Sequence, residues 1–299
     1  MRTVYLGTSE FAAAVLERLA ASPHRPQLVV TRPDRPQGRG RRLTPPPVAL
    51  RAGELGIEID QPASVNDAEA RARIAAAKPD VLVVCAFGAL IKEELLAAHH
   101  ILNVHPSLLP RWRGAAPIER AIMAGDSTTG VSIMELAAGL DSGPVCLEQT
   151  EPIGPQDTYG TLAQRLQRIG GELLVRALDE SPPCAEQDEA HVTYADKITA
   201  ADRQLDPGEP ADQLERIVRA LTPHIGAYIA LADGTQLGVR EAKVAQPQGD
   251  RADPDPPGTV SLDGPLPVLA TADGTLELVV VQPPGKRPMP GGDYLRGRR

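Results

Sequence analysis

Four short apolar runs, spaced by stretches of helical length, open the chain and constrain its fold more than any other feature. TVYLG (3–7) ends in glycine and leads into FAAAVLERLA (11–20), where Phe11, Val15, Leu16 and Leu19 fall on one helical side. QLVVT (27–31), VLVVCAF (81–87) and ILNV (101–104) follow, with helical segments between them. The run at 81–87 is almost uninterrupted, as in a central parallel strand covered on both faces. This alternation predicts an α/β fold built on an open, mostly parallel Rossmann-like sheet with right-handed crossovers. Reactive groups in such sheets lie beyond the carboxyl ends of the strands. That rule puts Gly7, Ala86–Phe87–Gly88 and Val104–His105 on one rim.

The pattern then changes. A helix is expected around 115–124, and TGVSIMEL (129–136) with VCLEQT (145–150) reads as a hairpin. Residues 158–178 form the longest amphipathic stretch, with Thr158 at its start and Gly170–Gly171 weakening its continuity. Prolines and lost periodicity mark 179–209 as a strap. Beyond it come a helical patch at 211–220 and short runs at 227–232, 237–245, 258–261, 267–270 and 275–282, separated by Gly, Asp and Pro turns. Short strands at that spacing predict a C-terminal OB-like β-barrel domain. The expected organisation is a first domain over 1–190, a linker over 191–205 and a second domain over 206–299. GDRADPDPPG (249–258) reads as an exposed loop.

Composition removes several classes of function. The chain has 299 residues and a net charge of −8, against indiscriminate nucleic-acid binding but not against a local basic patch. Two segments run against the global sign. Residues 32–42 carry Arg32, Arg35, Arg39, Arg41 and Arg42 against Asp34, and residues 286–299 carry Lys286, Arg287, Arg296, Arg298 and Arg299 against Asp293. A solvated charged loop explains either segment taken alone. Cys85, Cys146 and Cys184 show no close spacing, so they read as buried or incidental thiols of a reducing compartment. The opening MRTVYLGTSEF lacks the run of a signal peptide, and no window is long and apolar enough to span a membrane. A cytoplasmic protein without membrane or DNA partners is expected.

The densest polar segment at a predicted strand end is ILNVHPSLLPRWRGAAP (101–117). Asn103 and His105 are two apart, so both side chains leave an extended backbone on the same side. Pro106 ends the strand, and Pro110 stiffens the loop that follows. An imidazole at that rim, with an unperturbed pKa of about 6.5, suits proton transfer near neutrality. An amide does not titrate and donates hydrogen bonds, as holding an oxyanion requires. GLDSGP (139–144) adds Asp141 in a glycine-flanked turn, where a carboxylate could orient the imidazole. The residues alone leave a structural and a catalytic reading of His105 equally open, and for Asp141 they favour the structural one. Other chemistries lack their signatures. No serine sits in a G-x-S-x-G elbow, and Ser107 after proline suits a turn cap. GTSEFA has one glycine only, no G-K-[ST] loop exists, and His99–His100 have no metal-ligand pattern.

NVHPSLLPRWRGAAPI and MELAAGLDSGPV resemble the signatures of the folate-dependent formyltransferase family. The resemblance extends over essentially the whole chain. YLGTSEFA (5–12) is similar to the family's first strand and turn, and VVCAFGALI (83–91) to the strand and turn against which the folate pterin rests. TRPDRPQGRGRRLTPPPV (31–48) resembles the arginine-bearing loop of the family's tRNA-acting branch. TYADKI (193–198), IVRALTPHIGAY (217–228) and VQPPGKRPMPGGDYLRG (281–297) resemble its linker and C-terminal barrel. Ser9, Ile225 and Pro207 depart from the pattern, which bears on packing and linker geometry rather than on the chemistry.

The resemblance implies a formyltransferase catalytic domain over 1–190 and a tRNA-binding barrel over 206–299. It implies transfer of a formyl group from 10-formyltetrahydrofolate to the α-amino group of methionyl initiator tRNA, by direct attack of the amine and without a metal. By the same resemblance, Asn103, His105 and Asp141 are expected to occupy the family's catalytic positions. The donor cleft is expected to draw on Phe87, Gly88, Leu90, Ser107, Leu108, Leu109, Pro110, Ala138 and Gly139, with Ile91, Leu136 and Ala137 as further apolar candidates; for the apolar ones a core role is an equal reading. Arg35, Arg39, Arg41, Arg42, Lys286 and Arg287 are the expected tRNA contacts, with Gly38 and Gly40 keeping their loop flexible. From residue 206 onward ten basic residues face thirteen acidic ones, so any RNA face there is local. A monomer is expected. A relative acting on an amino-sugar nucleotide or glycinamide ribonucleotide, and a non-catalytic RNA-binding protein on the same shell, are the alternatives.

Overall fold

The computed structural model describes residues 1–37, 40–245 and 255–297, and they form two compact units. The first comprises Met1–Gly114, Thr128–Pro152 and Ala163–Ala195; the second comprises Ala115–Ser127, Ile153–Leu162 and Asp196–Arg299. The units therefore interleave along the sequence.

In the first unit the chain runs through β1 (Thr3–Gly7), α1 (Glu10–Ala20), β2 (Pro26–Val30), the short pair β3 (Arg35–Gln37) and β4 (Arg42–Thr44), α2 (Pro47–Leu55), β5 (Glu58–Asp60), α3 (Ala68–Ala76), β6 (Val81–Cys85), α4 (Glu93–Ala98), β7 (Ile101–His105) and β8 (Arg113–Gly114). After α5 (Pro117–Ala124), which belongs to the second unit, come β9 (Thr128–Glu135), β10 (Val145–Pro152), α6 (Tyr159–Glu180) and β11 (Tyr194–Ala195). Seven strands make one sheet in the order β10-β9-β7-β6-β1-β2-β5. The five from β7 to β5 are parallel, while β9 and β10 run antiparallel at one edge.

Local chemistry accounts for the main elements. Every residue of β1, β6 and β7 is buried, as their apolar runs require of strands covered on both faces. The Ser9 hydroxyl caps α1 by accepting from the Ala12 amide at 3.2 Å, and Phe11, Val15, Leu16 and Leu19 are its buried side. Val4, Leu6, Leu28, Val30, Leu82 and Val84 form a core cluster that also takes in Phe87, Ile91 and Leu95. The helix α6 runs unbroken through Gly170–Gly171. A Cβ on Gly170 would meet the Val104 side chain at 3.0 Å, and one on Gly171 would meet the Arg18 Cβ at 2.7 Å. The glycines permit close packing there instead of ending the helix.

The second unit continues with α7 (Ala211–Leu221), β12 (Ala227–Ala230), β13 (Gln236–Val244), β14 (Val260–Ser261), β15 (Val268–Ala270), β16 (Thr275–Gln282), β17 (Met289–Pro290) and α8 (Gly291–Arg296). Its antiparallel sheet has the order β12-β13-β16-β15-β14, with β17 on β16; among the described residues β12 and β14 do not pair, so the sheet is open there. Leu205, Leu214, Val218, Leu221, Val239 and Leu278 are among its core residues, with Met123 from α5 packed against them.

Three features differ from the sequence reading. The arginine-bearing stretch read as a loop contains the hairpin β3–β4, and β5, with a single apolar residue, joins the sheet edge. Cys146 and Cys184 are not incidental thiols: they form a disulfide, while Cys85 is buried and free. The Val145–Ala185 bridge aligns these two segments, a pairing that a sequence separation of 38 conceals. Of the expected loop 249–258, residues 249–254 lie outside the described residues. No helix among the described residues is long and apolar enough to cross a membrane.

Candidate active site

The site lies wholly in the first unit, at the carboxyl rim of its sheet. β7 carries Asn103 and His105, two residues apart on one strand and 7% and 4% exposed. The His105 Nε2 lies 2.9 Å from the Trp112 carbonyl oxygen. A carbonyl can only accept, so Nε2 keeps its proton and donates. Nδ1 is then the nitrogen left to take up a proton, and it faces the Asp141 Oδ2 at 3.6 Å. The same carboxylate accepts from the Gly114 amide at 2.9 Å through Oδ2, while its Oδ1 is 3.5 Å from the Asn103 amide nitrogen. That last distance is long for a hydrogen bond, so the Asn103 amide is only lightly committed within the protein. Amide, imidazole and carboxylate thus converge from β7 and from a turn far along the chain.

The loops that complete this rim hold unusual backbone. Ala86, Trp112 and Asp141 all have positive φ, at 41°, 64° and 44°, without being glycine. Such residues cost free energy unless their surroundings fix them, and they concentrate at functional sites. Trp112 is fixed by a hydrogen bond from its amide to the Thr193 hydroxyl, 2.9 Å, and Arg111 stacks over its ring at 4.4 Å. The turn after β6 is braced by three side chains: Thr8 donates to the Phe87 carbonyl, Arg32 to that of Gly88 and Asn66 to that of Leu90. In the Asp141 turn, a Cβ on Gly143 would sit 2.0 Å from the Glu135 carbonyl oxygen, so only glycine fits.

The residues expected around a donor separate into two groups. Phe87 and Ile91 are buried in the core cluster beneath the rim, and Leu136 packs against that cluster. Gly88, Leu90, Ala138 and Gly139 are exposed, with Leu90 at 73% and its unanticipated counterpart Leu140 at 61%. Ser107 is buried; its hydroxyl donates to the Arg111 carbonyl, closing the turn that also contains Leu108, Leu109 and Pro110. Leu109 is buried, and its amide donates to the Ser132 hydroxyl. Ser107 is therefore a structural cap and offers no nucleophile.

Arg35, Arg41 and Arg42 are exposed on the β3–β4 hairpin beside Leu43, while Arg39 and Gly38 lie outside the described residues. In the second unit Lys286 and Arg287 are exposed on the turn between β16 and β17, and Arg298 and Arg299 are outside the described residues. Among the described residues one cluster has metal-ligand types, Glu135 with Cys146 and Cys184, and His100 lies 3.2 Å from Glu135. Its two sulfurs are bonded to each other.

Sequence reasoning missed the Trp112 carbonyl, the Gly114 amide and the Gln187 side chain. Backbone donors and acceptors have no residue-type signature. Gln187 sits in the strap, where lost periodicity hides a contact to the Asp141 turn.

Known proteins resemble the chain along its full length. The family model of formyl transferase matches residues 1–178, and that of the formyl transferase C-terminal domain matches residues 197–299. Methionyl-tRNA formyltransferase of Halorhodospira halophila is 45% identical over 307 residues, covering 100% of this chain and 96% of that protein. The enzyme of that name from Thermobifida fusca is 42% identical, covering 100% and 97%. Among solved structures, HypX from Aquifex aeolicus in complex with tetrahydrofolic acid superposes with a TM-score of 0.64 at 17% identity, over 99% of this chain and 47% of HypX. The chain thus spans about half the length of HypX. Methionyl-tRNA formyltransferase from Clostridium thermocellum gives a TM-score of 0.61 at 14% identity, over 84% of this chain and 95% of that one. At such identities the structural matches speak for the fold.

Proposed function

The chain belongs to the formyl transferase family, and on that premise we propose that it transfers the formyl group of 10-formyltetrahydrofolate to the α-amino group of methionyl initiator tRNA. The observation that carries this reading is the meeting of Asn103, His105 and Asp141 at one sheet rim, in a chain 45% identical over its length to a methionyl-tRNA formyltransferase. We assign the chemistry to residues 1–190 and part of the tRNA contact to residues 206–299.

The exposed rim fits the donor. Leu90, Leu140 and Ala138 offer an apolar wall to a flat ring, and Gly88 and Gly139 let backbone approach closely. The bound donor supplies an electrophilic formyl carbon. The unprotonated amine attacks that carbon, forming the new C–N bond while negative charge gathers on the formyl oxygen. The Asn103 amide donates to that oxygen, an interaction worth most where charge develops. The His105 Nδ1 takes the proton the amine loses, because Nε2 is already engaged with the Trp112 carbonyl. Asp141 stabilises the imidazolium so formed. As the bond to N10 breaks, His105 returns a proton to that nitrogen, leaving tetrahydrofolate and the formylated ester. Proton and charge balance without a covalent enzyme intermediate.

Arg35, Arg39, Arg41 and Arg42 contact the tRNA in this reading, and Lys286 and Arg287 touch phosphates elsewhere on it. The test is direct: purified protein, charged initiator tRNA and 10-formyltetrahydrofolate, with the aminoacyl product followed by mass. Appearance of the formylmethionyl ester is expected. Its absence, with formyl transfer to an amino-sugar nucleotide or glycinamide ribonucleotide or with RNA binding alone, refutes the reading.

A further inference from the structure

The Asp141 turn poses a question that the three converging side chains do not answer. Asp141 has φ of 44°, and a non-glycine residue persists there only where its surroundings over-determine it. Its carboxylate accepts from one backbone amide, that of Gly114, and reaches Asn103 and His105 only at 3.5 and 3.6 Å. None of these contacts constrains the turn's own backbone.

Gln187 does. Its side-chain amide nitrogen donates to the Asp141 carbonyl at 2.9 Å and to the Gly143 carbonyl at 2.7 Å, spanning the turn with one group. Both amide hydrogens are thereby used. Its Oε1 accepts from the Arg113 Nε at 3.0 Å, which fixes which end of the amide points at the turn. Arg113 is 3% exposed and is held in turn by Glu189, through bonds of 2.7 and 3.3 Å. The neighbouring residue, Gly114, supplies the amide that binds the Asp141 carboxylate. Adjacent residues of β8 therefore grip Asp141 twice, once at its carboxylate and once through Gln187 at its backbone. The segment bearing Gln187 is itself anchored to the strand leaving the turn, by paired Val145–Ala185 backbone bonds of 2.8 and 2.9 Å and by the Cys146–Cys184 disulfide.

We propose that Gln187 is a positioning residue for formyl transfer, clamping the Asp141 turn so that its carboxylate is presented to His105 and Asn103. The proposal rests on the catalytic role of Asp141 assigned above. Gln187 touches no reacting atom and acts through Asp141. Its loss lowers the rate of the chemical step more than it weakens the binding of either substrate, because sub-ångström placement of a catalytic group governs that step.

Two variants test it. Gln187→Glu is isosteric and keeps an oxygen for Arg113, but sets a second oxygen against the two carbonyls. Gln187→Ala removes the clamp at a half-buried position. Initial rates would be measured with both substrates varied, together with thermal midpoints and amide hydrogen exchange over residues 139–144. The expected result is a kcat lower by about tenfold or more in both variants, with KM for tRNA within about twofold, any rise in KM for the folate smaller than the fall in kcat, midpoints near wild type and faster exchange confined to the turn. A kcat within about twofold of wild type in either folded variant overturns the proposal, as does a loss expressed only in KM. Absence of formyl transfer by the wild-type protein overturns the functional reading and this assignment with it. Wild-type transfer that is lost in Asp141→Asn but unchanged in Gln187→Ala overturns the clamp alone.

Discussion

In the proposed mechanism Asn103 and His105 do different work from neighbouring places on β7. The amide is buried and lightly bonded, so its replacement by alanine removes a donor without stranding a strongly paired partner. Asn103→Ala is expected to lower kcat about 10²- to 10³-fold at nearly unchanged KM for the folate, measured by steady-state formylation. A loss smaller than about threefold would remove Asn103 from the chemistry. Titration at the residue scale is clearest in the second unit. Partial burial alone would raise the Asp202 pKa, but hydrogen bonds from the Arg120 guanidinium and from the Thr199 hydroxyl and amide outweigh it and bring it from 3.8 to about 2. A carboxylate depressed on folding stabilises the protein above its ordinary pKa, and that contribution is lost as pH falls through the folded value. Asp202→Asn should therefore lower the urea midpoint at pH 6, with the gap to wild type closing as pH falls toward 2. A gap that stays constant with pH would refute this. The pairing of Asn103 with His105 was legible from their spacing of two at a strand end. Asp141 was visible as a turn residue, but its contact with them depends on the tertiary path of β9 and β10, which no local pattern encodes.

Elements were legible in proportion to their burial. The runs that became β1, β6 and β7 are buried along their whole length and mostly apolar, with Asn103 and His105 of β7 as the polar exceptions, and periodicity marks α1, α6 and α7. The hairpin β3–β4 was hidden because it contributes exposed arginines and an exposed Leu43 rather than an alternating buried face. The RNA contact proposed for it would start from Arg41 and Arg42, which are exposed at the end of a two-stranded support instead of in a featureless loop. Changing both to alanine is expected to raise KM for the charged tRNA and to make log KM less steep against log salt by roughly one to two units, with KM for the folate unchanged. An unaltered salt slope would exclude the hairpin from the RNA interface. Gly170 and Gly171 show the opposite ambiguity. Local propensity reads them as a helix break, whereas close approach of Val104 and Arg18 to α6 requires them.

At the scale of the whole molecule, a net charge of −8 coexists with localised arginines, and a chain with few aromatics builds its cores from Val, Leu, Ile and Ala. The change from an alternating α/β pattern to short strands was legible as two architectures. The membership of α5 was not, because a short apolar helix reads the same whichever core receives it. Ile118 and Ile122 of α5 are 3% and 1% exposed, and α5 packs on α7 within the second unit. A fragment of residues 1–195 should therefore expose apolar surface and bind a hydrophobic dye that the full chain excludes. A fragment that neither binds the dye nor loses solubility would contradict this packing. The same feature governs how such proteins can be recombined. A hybrid made by joining two relatives at a single splice after the strap would inherit α5 from one parent and the antiparallel-sheet core it must fit from the other. Faithful exchange of the second unit requires three pieces of sequence to travel together, so successful hybrids should be those in which residues 115–127 and 153–162 match the donor of the carboxyl-terminal third.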